Sequence, residues 1–92
     1  MIRITENGST DETTSLQLEG QMIGQGVVEV QNICEQWLAL DRKLTLDLAN
    51  VLFVDRNGIA LLQDLKQRQV SLVNCSPFLT EQLRGVSPSD YE

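Results

Sequence analysis

The chain has 92 residues, 13 acidic against 7 basic side chains, no histidine and a formal net charge of −6. One compact domain with a single core is the expectation at this length, and it leaves little room for an enclosed active-site cavity. Without histidine the usual general base, the Ser-His-Asp arrangement and the commonest metal ligand are missing, and the acidic balance argues against a nucleic-acid backbone as partner.

Other classes fall away in the same manner. The longest apolar runs, such as Val51 to Val54, are far short of the ~20 residues of a spanning helix. Met1 to Glu6 lacks the charged start and apolar stretch of a signal peptide, so a cytoplasmic protein without direct membrane insertion is expected. Cys34 and Cys75 stand alone in the sequence with no Cys-x-x-Cys pair, and are read as reduced, mostly buried thiols. No metal and no cofactor is expected.

In chain order, Met1 to Thr5 alternates apolar and polar residues, which predicts a short half-buried strand. Asn7-Gly8 is a turn signal, and Ser9 to Thr13 reads as a polar loop. Thr14 to Glu19 alternates again, with Leu16 and Leu18 on one face, so the two segments form a predicted antiparallel hairpin. Gly20, Gly24 and Gly26 then break the pattern. From Val27 to Leu40 the apolar residues Val27, Val30, Ile33, Cys34, Trp37, Leu38 and Leu40 follow helical spacing, which places Trp37 on the core stripe rather than at a partner surface. Lys43 to Leu48 is a predicted strand with three alternating leucines. After Ala49-Asn50, the run Val51 to Val54 leads into Asp55-Arg56-Asn57-Gly58 and a second helix with Leu61, Leu62 and Leu65 inward. Val70 to Val73 reads as the next strand. Ser76 and Pro77 open a third helix as N-cap and first helical residue, with Leu79 and Leu83 as its apolar line. Gly85 is placed as the helix stop, and Val86 to Glu92 as a loosely attached tail after a domain spanning 1–85.

Strand, strand, helix, strand, helix, strand, helix defines an α/β domain. The strand-helix-strand units imply parallel pairing through right-handed crossovers, and the opening hairpin makes the four-stranded sheet mixed. About three helices for four strands are expected to cover one face mainly.

Chemistry concentrates at the second helix start. A strand ending in Val54 delivers Asp55, Arg56 and Asn57 to the positive end of a helix, where backbone N–H groups lack intrahelical partners. Asp55 or Asn57 can cap them, and Gly58 either lets another backbone come close or relaxes the turn. A well-capped turn accounts for these residues without any further role. Asp47 and Asp55 are the only acids flanking this stretch, and no general base or phosphate-cradling loop accompanies them, so no catalytic residue is assigned.

The stretch Leu46-Asp47-Leu48-Ala49-Asn50-Val51-Leu52-Phe53-Val54-Asp55-Arg56-Asn57-Gly58-Ile59-Ala60-Leu61-Leu62 resembles the signature of the STAS family, the anti-sigma-factor-antagonist fold. There a strand with Asp-Leu, a small-residue turn and an apolar pair leads to Asp-Ser-Ser-Gly-Leu opening a helix. The resemblance continues through Val70 to Asn74 and Ser76-Pro77 and covers about residues 14–85. It implies a single STAS-like domain acting as a non-enzymatic regulatory protein–protein interaction module in bacteria. Asp55, Arg56, Asn57, Gly58 and Ile59 would meet the partner, a kinase-like anti-sigma factor. The residue before the family's glycine is often a Ser or Thr that a partner kinase phosphorylates; here it is Asn57, which cannot accept a phosphoryl group. Arg56 likewise departs from the usual serine. Gln21-Met22-Ile23-Gly24-Gln25-Gly26 lacks the aspartate of the family's Glu-Leu-Asp segment, and a closing strand and helix are expected to be missing, leaving a minimal version that a second copy or a partner could cover. Two alternatives stand beside this reading. One is an accessory subunit of a lipid-type ABC transporter that contacts its ATPase. The other is a nucleotide or small-ligand binder with a phosphate near Arg56, which Asp55 opposes.

Overall fold

Alternating leucines set the sheet. Leu16 and Leu18 in β2 (Thr13–Met22) and Leu44, Leu46 and Leu48 in β3 (Lys43–Val54) are fully buried, while Ser15, Gln17, Thr45 and Asp47 between them stay partly exposed. Period-two alternation puts the first set on one face and the second on the other. In the computed structural model, which describes residues 2–84, β1 (Ile2–Ser9) and β4 (Ser71–Val73) complete a sheet of order β1-β2-β3-β4. β1 runs antiparallel to β2; β2–β3 and β3–β4 are parallel. Leu16 lies opposite Leu46, and Leu46 opposite Leu72, so one leucine row crosses three strands.

The helices α1 (Gln25–Ala39), α2 (Arg56–Gln67) and α3 (Pro77–Arg84) close over that leucine face. Val27, Val30 and Cys34 of α1, Leu61, Leu62 and Leu65 of α2, and Leu79 and Leu83 of α3 join the strand leucines in one core. Each fully buried Leu or Val contributes ~1.5–3 kcal/mol relative to exposure. Arg68, just past α2, donates a two-pronged pair of hydrogen bonds to Glu35 of α1 at 2.7 and 3.0 Å. The mixed sheet with helices on one face follows the expectation from the element order. No helix among the described residues is long and apolar enough to cross a membrane.

Several local readings are corrected. Asn7-Gly8 is not the hairpin turn: β1 continues through it to Ser9, and the pair sits where the β1–β2 register slips. The turn lies at residues 10–12, where the Thr10 hydroxyl accepts from the N–H groups of Glu12 and Thr13 at 3.2 and 3.1 Å. Gly20 does not end β2, which runs on to Met22 because Gly20 and Gln21 still pair with β3. Ala49-Asn50 does not interrupt β3, which is one strand; between Asp47 and Asn50, and again between Val51 and Phe53, it carries one residue more than β2. Asp47 stabilises the first of these bulges, its Oδ1 accepting from the Ala49 N–H at 3.0 Å and from the Asn74 amide at 3.1 Å. Trp37 is half-buried and packs against the core, on the stripe its helical spacing predicts, with the Arg42 guanidinium 5.3 Å from its ring centroid and a bond from Arg42 to the Thr10 carbonyl at 2.6 Å. Ser76 and Pro77 take the expected positions, the Ser76 Oγ accepting from the Leu79 N–H at 3.1 Å. The placement of Gly85 and of the 86–92 tail, and the boundary between them, lie outside the described residues.

The two thiols differ in reach. Cys34 is buried in the core, and burial pushes its thiol up to about 12; Cys75 is half-exposed. Treatment of the native protein with a maleimide should therefore label Cys75 alone, with Cys34 reacting only after unfolding in denaturant. Peptide mapping that finds equal native labelling of both would contradict this packing.

Candidate functional site

β3 ends at Val54, and Asp55 continues it in extended conformation as the N-cap of α2. Its Oδ1 accepts from the Gly58 N–H at 2.8 Å, an ordinary cap of the helix it precedes. Its Oδ2 accepts from the Gly24 N–H at 3.0 Å. Gly24 is the N-cap residue of α1 and has no side chain with which to cap it, at a φ of 52° that favours glycine. One carboxylate thus ties together the starts of two helices that lie far apart in sequence. The Asp55 N–H donates to the Met22 carbonyl at 3.2 Å, pinning the same residue to the end of β2. The N–H bond from Gly58, then that from Gly24, holds the Asp55 carboxyl below the usual aspartate range.

Gly58 fits for a steric reason. A Cβ there would meet Val54 Cγ1 at 2.5 Å and the Met22 carbonyl oxygen at 3.0 Å. Val54 is buried and branched, and a backbone carbonyl cannot swing away, so neither neighbour yields readily. Of the two roles read for this glycine, the close approach is the one the structure uses.

The five residues of the predicted partner surface therefore divide. Asp55 has its carboxylate engaged and Gly58 is buried, so these two build the loop. Arg56 and Asn57 are exposed and Ile59 is half-buried, so these three are the residues the loop presents. Arg56 makes no ion pair among the described residues. The Asp55 carboxylate, held at the Gly58 N–H, opposes a phosphate at the start of α2.

Beside the loop lie apolar residues that the sequence reading did not single out. Leu52 is 80% exposed, Phe53 54% and Phe78 69%. These include both phenylalanines of the chain, so neither ring contributes to the core. A groove of about 500 Å³ runs between β3's end, α2 and α3, lined by Phe53, Arg56, Ile59, Ala60, Gln63 and Gln82 together with Val54 and Asp55. The Gln63 amide donates to the Leu83 carbonyl at 3.1 Å and fixes α2 against α3 beneath it. The available signals were the unbroken run Val51 to Val54, in which alternation leaves part of the run outside, and Phe78 one position off the Leu79–Leu83 line.

With this geometry in view, comparison with known proteins gives the fold. No protein-family model matches the sequence, and no curated protein matches it. Among solved structures, the anti-sigma factor antagonist SpoIIAA in its unphosphorylated form superposes with a TM-score of 0.74 at 14% identity, covering 97% of this chain and 94% of that one. An uncharacterized protein from the DUF3478 family with a SpoIIAA-like fold, from Shewanella loihica PV-4, superposes with a TM-score of 0.56 at 13% identity, covering 84% of this chain and 69% of that one. The chain has the SpoIIAA-like (STAS) fold. The closing strand and helix expected to be missing after α3 concern residues outside the described ones.

Two outcomes check the loop. Gly58→Ala should lose about 1–2 kcal/mol in denaturant unfolding, the overpacking cost less alanine's better helix propensity; unchanged stability would contradict the close approach to Val54. Asp55→Asn should lower the unfolding midpoint at neutral pH more than the exposed Asp64→Ala does. Because the folded carboxyl titrates below its unfolded value, its contribution is complete above the ordinary aspartate range near ~3.9 and is lost as pH falls through the folded value. The gap between wild type and Asp55→Asn should accordingly close as the pH is lowered below about 4; a gap that persists unchanged in acid would contradict the assignment.

Proposed function

We propose that the chain is a regulatory protein–protein interaction module of the anti-sigma-factor-antagonist type, with no catalytic activity of its own. Its partner meets the Asp55–Gly58 loop and the first turn of α2, with Arg56, Asn57 and Ile59 as contact residues. The observation that carries this reading is the exposed Arg56–Asn57 pair on a loop anchored at both ends, within a fold shared with SpoIIAA. A strand-to-helix loop on a rigid sheet suits recognition, because little order has to be gained on binding. A kinase-like anti-sigma factor is the partner class that the SpoIIAA likeness favours.

Regulation at this loop does not run through phosphorylation of residue 57. Asn57 has no hydroxyl, and the loop from Asp55 to Gly58 contains no Ser, Thr or Tyr. A phosphoserine would bring ~1.5–2 negative charges to the helix start, and this chain cannot make that change there.

Affinity capture with the tagged full chain from its own cells is expected to recover a protein partner, with the yield falling at least about tenfold for Arg56→Ala combined with Asn57→Ala. The same partner at undiminished yield from both baits would contradict the loop assignment. Incubation with an anti-sigma-type kinase and ATP, read by intact mass and peptide mapping, should leave residues 55–58 unmodified.

A further inference from the structure

We infer that Asn7 is a site of spontaneous deamidation in this chain, and that the Asp55 cap shields the chemically equivalent Asn57 from the same reaction. Neither half depends on which partner the α2 loop meets.

The sequence holds two Asn-Gly pairs, Asn7-Gly8 and Asn57-Gly58. In such a pair the glycine backbone nitrogen attacks the asparagine Cγ, the side-chain amide leaves as ammonia, and a five-membered succinimide forms. Water then opens the ring at either carbonyl, giving aspartate or isoaspartate. Glycine favours the attack because no side chain screens its nitrogen and its backbone turns freely. The two pairs are alike in chemistry, so the fold is what separates them.

Asn7 and Gly8 are exposed on β1, which forms an edge of the sheet. Glu6 pairs with Leu16 and Ser9 with Thr14, so Asn7 and Gly8 together face a single residue of β2 and the ladder is interrupted there. Gly8 has a φ of 139°, and nothing lies within 4 Å of the place a Cβ would take. The pair therefore has room to turn into the attacking geometry, with water at hand for both steps. Asn57-Gly58 is built the other way. Asn57 is exposed but lies in the first turn of α2, and Gly58 is buried against Val54 and the Met22 carbonyl. The nitrogen that would attack is the one whose N–H donates to Asp55 Oδ1 at 2.8 Å. Releasing a hydrogen bond from a charged acceptor before the attack slows it about ten- to a hundredfold. A carboxylate thus accumulates next to Glu6, at the end of the sheet away from α2, while the residue displayed by the α2 loop stays a neutral amide.

The test incubates the full chain for days in neutral to mildly alkaline buffer, with peptide mapping by mass spectrometry to follow each asparagine as it becomes aspartate and isoaspartate. In the folded protein Asn7 should convert at least about tenfold faster than Asn57. In guanidinium chloride the two rates should converge, since each pair is then an unconstrained Asn-Gly. Asp55→Ala should raise the rate at Asn57 about tenfold and leave that at Asn7 unchanged. Equal rates in the folded protein, a faster Asn57, or an Asn7 that converts only in denaturant would overturn the inference. A ratio that persists in denaturant would assign the difference to the flanking sequence and overturn it as well. The wild-type comparison of folded with unfolded chain decides the matter even if Asp55→Ala fails to fold. A folded Asp55→Ala in which Asn57 stays as slow as in the wild type would remove the shielding by the cap.

Discussion

The Asp55 carboxylate is the interaction on which the geometry of this end of the molecule depends. Each helix start presents amide groups that the helix cannot satisfy, and α1 begins at a glycine with nothing to offer them. Asp55 supplies one oxygen to each helix, at Gly24 and at Gly58, while its own N–H is held by Met22. Three chain segments that meet only through the fold are thereby fixed to a single side chain. The negative charge sits at the positive ends of two helix dipoles, which favours the ionised form and explains the direction of the shift in its pKa.

That anchoring accounts for what the loop can present. With Asp55 turned inward and Gly58 pressed against Val54 and Met22, the two residues between them are left outward. Arg56 and Asn57 are thus displayed by a turn whose geometry is set from both sides. The likeness to SpoIIAA at 14% identity shows that the architecture is shared even where few side chains are. What differs in detail is therefore to be sought in the displayed residues, here an arginine, an asparagine and a neighbouring patch with both phenylalanines.

The fold was legible in the sequence because the core is repetitive. Leucines at period two in β2 and β3, and apolar residues at helical spacing in α1 and α2, specify strand and helix with little ambiguity, and their order fixes the topology. The errors fell where local signals were overridden by pairing. Asn7-Gly8 carries a strong turn signature, yet β2 offers it a partner and the chain takes a register slip in place of a turn. Ala49-Asn50 reads as a break, but Asp47 and Asn74 hold it as a bulge inside a continuous strand. In the candidate site, the cap was legible because it acts within four residues of sequence, but which of its two roles Gly58 takes was not, because the Met22 carbonyl it meets lies far off in sequence. The second bond of Asp55, to Gly24, was not, since it joins residues brought together only by the parallel pairing of β2 with β3. The exposed Phe53 was missed for a related reason: periodicity ranks residues by face, and the bulges in β3 change which residues reach the surface.

The most direct measurement of this account is a pH titration followed through the backbone amide signals of Gly24 and Gly58. If one carboxylate serves both, the two signals move together with a single midpoint below the ordinary aspartate range, and both movements vanish in Asp55→Asn. A Gly24 signal that stays still, or that titrates separately from Gly58, would contradict the shared cap.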